Sequence, residues 1–203
     1  MNSDGQQIAV LCPEGEDAGQ FEAAVRHAEG VPVVIRPEGL PASAGGLLVA
    51  GEGHFGAGSE DLPVALSEAI ERDLPVLGIG WGMQAINVAF GGMLPVAIDD
   101  HRGSEGGPVK HSVFMSPGGK VSYTIGGSGW VSVNGCHSHG IRDAQRAEGL
   151  LASAYAEDRV IEAIELPGRH WVIGVQWQAH RIDEQPKGFD NLLLALVERA
   201  IEG

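Results

Sequence analysis

The pattern of apolar positions in the first half of the chain alternates between short continuous runs and stretches with helical spacing. The continuous runs, rich in β-branched residues, are predicted to be buried strands at residues 8–12, 31–35, 47–50 and 75–80. The stretches with helical spacing are predicted to be helices at residues 17–29, 61–72 and 82–90. Strands that alternate with helices in this way favour parallel pairing through crossover helices.

The second half of the chain has a different pattern. Residues 99–129 are polar and glycine-rich, and they form either a lid or a docking surface. The predicted strands of this half are residues 111–115, 130–135, 150–158, 160–166 and 171–177, and a predicted amphipathic helix covers residues 189–203. We therefore expect a single α/β domain over residues 1–203. Its sheet is mostly parallel and flanked by helices, with an antiparallel extension.

Composition and charge exclude several classes of function. The net charge is −14, from 27 acidic and 13 basic residues, which argues against binding to nucleic acid or to anionic lipid. No apolar run approaches the roughly 18 residues of a membrane helix. The N-terminal MNSDGQQ has no feature of a signal peptide, so we expect a cytoplasmic protein. Cys12 and Cys136 are too few for a disulfide framework and are expected to be free thiols.

Four motifs carry a resemblance to a known family. They are LVAGEGH (48–54), GIGWGMQ (78–84), VNGCHSHGI (133–141) and GVQWQAH (174–180). They resemble the PGGxD oxyanion loop, the GICxGMQ strand–elbow–helix, the VNSxHHQ loop and the GVQWHPE segment of class I glutamine amidotransferases. The segment from residue 85 to 92 also resembles the peptidase C26 subgroup that hydrolyses γ-glutamyl-γ-aminobutyrate. The resemblance covers nearly the whole chain and implies a flavodoxin-like fold, with the functional crevice at the carboxyl ends of the strands.

The residues at the catalytic positions differ from those of the family. The resemblance places Gly80 at the nucleophilic cysteine, Gln178 at the catalytic histidine, His180 at the third triad position and Glu52 at an oxyanion glycine. Glycine supplies no nucleophile for a γ-glutamyl thioester, and an amide is no general base near neutral pH. A carboxylate at Glu52 repels an oxyanion, which the family's loop stabilises with N–H groups. The resemblance therefore implies the pocket without the mechanism.

The remaining pocket residues follow from the same alignment. The resemblance assigns ligand binding to Gly53, Gly80, Trp81, Gln84, His137 and Gln178. Trp81 either fills the space through which substrate entered or stacks on a flat ligand. Gln84 is a pocket or structural residue rather than a catalyst.

Three functions stay open at this point. The first is a pseudoenzyme, a non-catalytic subunit that binds a γ-glutamyl or amide ligand or a partner such as an amide-forming synthetase or ligase. Self-association into a homo-oligomer is also open. The second is a repurposed enzyme that acts on a γ-glutamyl or related amide through Glu52 and His180, with Cys136 or a metal. Cys136 would then pair with His137 or His180. The third, an ordinary amidotransferase with misaligned motifs, conflicts with the absence of cysteine from GIGWGMQ.

No cofactor is expected, although the histidines leave a metal open. The chain carries many for one domain: His54, His101, His111, His137, His139 and His180. In an extended segment His137 and His139 point to the same side, and His180 approaches from the triad corner. Three protein ligands with an open position are typical of catalytic zinc. No dense ligand motif such as HExxH is present, and the alternative is that these histidines only mirror those in the family's loops.

Overall fold

A computed structural model gives the architecture of the chain. It describes residues 6–36, 39–56, 62–103 and 105–202. Most of the polar N-terminal segment, the first residue of the predicted helix 61–72 and the last residue of the predicted helix 189–203 lie outside the described residues. Within these ranges no helix is both long enough and apolar enough to cross a bilayer.

The described residues contain eleven strands. In chain order they are β1 (Gln7–Leu11), β2 (Val31–Val34), β3 (Gly46–Gly51), β4 (Val76–Gly80), β5 (Val96–Ala97), β6 (Val109–Met115), β7 (Gly129–Gly135), β8 (His139–Gly140), β9 (Leu151–Ala156), β10 (Ile161–Glu165) and β11 (Val172–Val175). Nine of them form one sheet in the order β2-β1-β3-β4-β11-β10-β9-β6-β7. The pairs from β2 to β11 are parallel and the pairs from β11 to β7 are antiparallel. The predicted parallel sheet with an antiparallel extension is confirmed.

Helices cover both faces of this sheet. They are α1 (Gly19–His27), α2 (Val64–Glu71), α3 (Trp81–Ala89), α4 (Lys120–Ile125) and α5 (Asn191–Glu202), with a short 3-10 turn at Ile182–Glu184. Residues of α1, α4 and α5 pack in the core of one face, and residues of α2 and α3 pack in the core of the other. Because neighbouring strand residues point to opposite faces, a continuous apolar run such as β1 contributes to both cores.

Sequence reasoning missed four short elements: α4, β5, β8 and the 3-10 turn at Ile182–Glu184. Each is too short to show a periodicity, and α4 lies inside the glycine-rich stretch that was predicted to contain only one strand. β5 and β8 pair with each other outside the main sheet. They bring the chain that follows α3 beside the loop that follows β7.

The connection from β4 to α3 fixes the position of the predicted elbow. Gly80 ends β4 with φ 56° and ψ −110°, and α3 starts at the next residue. A side chain at Gly82 would overlap the carbonyl oxygen of Val49, so α3 packs directly on β3. The carboxyl ends of β3, β4 and β11 therefore meet at one edge of the sheet. The backbone N–H of Gln178 also donates to the carbonyl of Asn134, which brings the end of β7 to the same edge.

A candidate active-site crevice and an adjacent histidine cluster

A narrow crevice lies at the carboxyl ends of the central strands. Its lining residues are Gly51, Glu52, Ile79, Gly80, Cys136, His137, Gln176, Gln178 and His180. The structure thus brings together six of the residues that the sequence placed in the site. The crevice has a volume of about 10 Å³, which is room for about one water molecule.

Glu52 closes one side of the crevice by binding residues of the loop that follows β11. Its Oε1 accepts a hydrogen bond of 2.9 Å from Nε2 of Gln178 and one of 3.3 Å from Arg181. The same oxygen lies 4.0 Å from Nε2 of His180. The amide at the position that the resemblance gives to the catalytic histidine therefore donates to the carboxylate of the loop that follows β3.

His180 is a buried, neutral imidazole rather than a charged partner of Glu52. Burial lowers its pKa to about 4, although the charge of Glu52 acts in the opposite direction. The ring meets the edge of Phe21 at a centroid distance of 4.7 Å, and neither ring nitrogen has a hydrogen-bond partner among the described residues. At neutral pH this histidine carries no proton that it could give up as an acid, and its environment resists charging.

The backbone at the elbow and in the loop after β3 is in close contact with neighbouring groups. A Cβ atom placed on Gly80 would lie 2.5 Å from the carbonyl oxygen of Gly51. The N–H of Glu52 donates to Oε1 of Glu16 at 3.0 Å. Burial raises the pKa of Glu16, and this N–H partly offsets the effect. Sequence reasoning missed Glu16, because it follows β1 in a turn that belongs to none of the four motifs.

Three predicted ligand-binding residues lie outside the lining of the crevice. Trp81 is half-buried and packs on Phe55 at a centroid distance of 5.6 Å. Gln84 is fully buried, accepts a hydrogen bond from the N–H of Phe55 and donates to Oε1 of Gln176. Gly53 is exposed. Trp81 and Gln84 therefore hold Phe55, in the loop after β3, through packing and a hydrogen bond rather than lining the crevice.

Both cysteines are free thiols, and they lie in different surroundings. Cys136 lines the crevice half-buried, with its Sγ donating to the carbonyl of Gly106 at 3.5 Å. Burial raises the pKa of Cys12 to about 12, and the charge of Glu16 adds to the effect. Cys12 is therefore a thiol at neutral pH rather than a reactive thiolate.

The histidines do not group as the sequence suggested. The ring of His139 stacks on His54 at 3.6 Å, and His180 stays beside Glu52. Of the predicted metal set, only His137 joins a cluster, together with His101 and His111. The set His137, His139 and His180 is thus not one ligand group, because the chain bends at Ser138 and the rings of His137 and His139 contact different neighbours.

The histidine cluster surrounds Glu162, which is 0% exposed in the middle of β10. Its Oε1 lies 3.2 Å from Nδ1 of His101, 3.3 Å from Nε2 of His111 and 3.4 Å from Nε2 of His137. Burial by itself raises the pKa of Glu162, but the three histidines hold it well below its usual value. Sequence reasoning missed Glu162, although a glutamate inside an apolar strand run is a signal of a paired or ligating carboxylate.

The strand–elbow–helix and the crevice at the carboxyl ends of β3, β4 and β11 define a class I glutamine amidotransferase-like domain. The crystal structure of "a putative gmp synthase subunit a protein" from Thermoplasma acidophilum shares this fold, with a TM-score of 0.74 and 17% identity over 98% of this chain and 96% of that one. The family model of Peptidase C26 matches residues 61–180. The chain belongs to the Peptidase C26 family.

Two relatives extend this assignment. The chain is 39% identical over 143 residues to "Putative glutamine amidotransferase Rv2859c" of Mycobacterium tuberculosis, over 66% of this chain and 43% of that protein. It is 31% identical over 209 aligned positions to "Putative glutamine amidotransferase PB2B2.05" of Schizosaccharomyces pombe, over 88% of this chain and 81% of that protein. The chain thus spans less than half of the first relative and most of the second.

Proposed function

We propose that this protein is a non-catalytic member of the family that serves as a partner-binding subunit in amide or γ-glutamyl metabolism. The observation that carries the proposal is the elbow, where Gly80 stands in place of a nucleophile. The carbonyl oxygen of Gly51 occupies the direction that a side chain would take. Thioester chemistry needs a thiolate at that point, and this backbone arrangement leaves no room for one.

The groups around the elbow support the same conclusion. Gln178 cannot take a proton near neutral pH, and its amide is bound to Glu52. The N–H of Glu52 is bound to the carboxylate of Glu16, so it does not point freely at a developing oxyanion. Base, nucleophile and oxyanion donor are all replaced or occupied, while the fold around them is kept.

The size of the crevice favours a partner over a small ligand. A volume of about 10 Å³ admits about one water molecule and no γ-glutamyl group. The chain is also similar in sequence to proteins named as putative glutamine amidotransferases, and similar in fold to one named as a GMP synthase subunit. The partner that fits this setting is an amide-forming synthetase or ligase, to which this subunit would bring binding rather than ammonia.

The first test is turnover by the purified protein. Glutamine and γ-glutamyl amides should release no ammonia or amine above the background without protein. Release that survives thiol alkylation but is lost in Glu52→Gln and in His180→Ala would replace the proposal with a repurposed enzyme. Release that is lost on alkylation and in Cys136→Ser would assign the activity to Cys136, which also lines the crevice.

The second test concerns the partner. The protein is mixed with an amide-forming synthetase encoded beside its gene, and the complex is sought by sedimentation. A stable complex that forms amide from free ammonia but not from glutamine is the expected result. Amide formation from glutamine, or no complex with any neighbouring synthetase, would contradict the proposed role.

A further inference from the structure

The cluster around Glu162 brings one carboxylate and three imidazoles together, and the carboxylate needs a positive charge beside it, from protons on the rings or from a bound cation. Glu162, His101 and His137 are buried, His111 is partly buried, and the inner atoms of the four side chains face each other. Neither oxygen of Glu162 has a hydrogen-bond partner, and the facing nitrogens of His101, His111 and His137 have none either. A buried carboxylate without a partner is costly, so such an arrangement calls for a bound positive charge.

The outer nitrogens of two rings show which atoms carry hydrogen. Nδ1 of His137 lies 3.1 Å from the carbonyl oxygen of His139, which can only accept, so Nδ1 carries the hydrogen. Nε2 of His101 lies 3.3 Å from a carboxylate oxygen of Asp158 and carries the hydrogen for the same reason. When these two rings are neutral, their inner nitrogens therefore present lone pairs toward Glu162. Outer hydrogen bonds of this kind are typical of histidines that bind a metal.

The three distances from Oε1 of Glu162 to the histidine nitrogens fit a single small ion. Four ligands at metal bonds of about 2.0–2.1 Å, arranged as a tetrahedron, are about 3.3 Å from one another. The three separations between Glu162 and the histidine nitrogens are 3.2, 3.3 and 3.4 Å. All four ligand atoms lie within 4.8 Å of one another. This is the only such group of three or more His, Cys, Asp or Glu side chains found in the part of the chain that the structure describes.

We propose that His101, His111, His137 and Glu162 bind one divalent transition metal ion of the zinc class. Imidazole nitrogens and one carboxylate are borderline ligands that suit zinc, and four protein ligands make a closed, structural site. The ion ties together β6, β10, the loop before β6 and the loop after β7. Because His137 also lines the crevice, the metal fixes one wall of it.

Neighbouring residues hold the ligands in place. Arg142 donates to Asp158, which in turn faces His101. The backbone N–H of His137 donates to the carbonyl of His101 at 3.1 Å, which joins the two ligand loops. A side chain at Gly135 would come within 2.6 Å of the ring of His111, so the space for that ring depends on a glycine. The positions of His101, His111 and His137 are thus fixed by residues that surround the ligand set.

The ion has a route from solvent that is separate from the crevice. An open pocket reaches His101 and His111 and is lined by four exposed carboxylates: Asp99, Asp100, Glu157 and Asp158. Negative groups at the mouth of a pocket concentrate cations there. Metal binding therefore does not depend on the proposed function, and its failure would leave the loss of thiol chemistry untouched.

The test measures metal binding by the intact protein after its metal has been stripped with a chelator. Zinc is added in competition with a chromophoric chelator, and cobalt is added as a spectroscopic probe. We expect one equivalent of metal per chain. The cobalt spectrum should show the strong visible bands of tetrahedral coordination and no thiolate charge-transfer band, and Cys136→Ser should leave it unchanged. Glu162→Gln and His111→Gln should each weaken zinc binding by about a hundredfold or more.

His54→Gln is the matched control, because it removes a histidine that stacks on His139 outside the cluster. It should bind zinc as the wild type does. Equal affinity in His111→Gln, or no stoichiometric metal in the wild type, would overturn the proposal and leave an imidazolium–carboxylate cluster. If the ligand variants do not fold, as judged by circular dichroism, the wild-type cobalt spectrum decides. A tetrahedral, thiolate-free spectrum supports the site, and its absence refutes it.

Discussion

The crevice and the Glu162 cluster lie side by side, share His137, and are built on opposite principles. In the crevice Glu52 faces donors, since Gln178 and Arg181 both direct N–H groups at it. In the cluster Glu162 faces nitrogens of three imidazole rings, and neither of its oxygens has a hydrogen-bond partner among the described residues. Glu52 is thus bound by its own neighbours, whereas the surroundings of Glu162 fit the cation that we propose.

This difference indicates which of the two carboxylates is available to a further charged group. A carboxylate that its neighbours already bind, as Gln178 and Arg181 bind Glu52, has little capacity left for a cation. Buried ligand atoms without partners are costly to the folded state, and a cation bound among them removes that cost. Four predictions sharpen the contrast, in order of decreasing effect.

Filling the cluster should have the largest effect on stability. At a free zinc concentration of about a thousand times the dissociation constant, binding to the folded state alone contributes about 4 kcal/mol. For a chain of this size that corresponds to a rise in melting temperature of about 10 °C. Thermal melts of stripped protein with and without zinc measure it. Glu162→Gln should lose the rise, and a rise of equal size in that variant would place the ion elsewhere.

Acid should destabilise the protein through His180. Its pKa in the folded protein is about 4 against an ordinary value of 6.5, so the unfolded chain binds the proton first as the pH falls. The free energy of unfolding is therefore unaffected by the titration of His180 above pH 6.5. It decreases as the pH falls from 6.5 toward 4, by up to about 3 kcal/mol.

The measurement is urea unfolding at about pH 7.5 and about pH 5, where the expected loss from this group is about 2 kcal/mol. His180→Gln has no titrating group at this position. Between the same two pH values its free energy of unfolding should therefore fall by about 2 kcal/mol less than that of the wild type. Because the variant keeps every other titrating group, it isolates His180. An identical pH dependence in the two proteins would show that the ring charges freely in the folded state.

A side chain at the elbow should be costly. Gly80→Ala adds a Cβ against the carbonyl of Gly51 at a positive φ, and we expect a loss of about 2–3 kcal/mol in free energy of unfolding. Gly91→Ala is the matched control, since Gly91 also has a positive φ but nothing lies within 4 Å of its added Cβ. It should lose about 1 kcal/mol. Equal losses would mean that the Gly51 carbonyl moves away easily.

Removing the charge of Glu52 should have the smallest effect. Glu52→Gln weakens its bonds to Gln178 and Arg181, but its side chain is 38% exposed, so we expect less than about 1 kcal/mol at neutral pH. Urea unfolding measures the loss, and the exposed Glu198→Gln is the control. A loss of several kcal/mol would show that the Glu52 network is a main support of the loops around the crevice.

Much of the fold could be predicted because its signals are local. The buried strands β1, β3 and β4 are continuous apolar runs, and the elbow motif GIGWGMQ marks the junction of β4 with α3. Their order along the chain alone implied parallel pairing, since a crossover helix allows little else. α4, β5 and β8 gave no such signal, because a few residues cannot show a period.

The sequence by itself determined which chemical groups the site lacks, since a glycine at residue 80 and an amide at residue 178 follow from the alignment of short motifs. Only the tertiary structure decided which histidines meet. His101, His111, His137 and Glu162 come from separate elements, and they converge because β6 and β10 both pair with β9 and the loops at residues 101 and 137 hydrogen-bond to each other. Such convergence depends on contacts between distant parts of the chain, and spacing along the sequence does not record them.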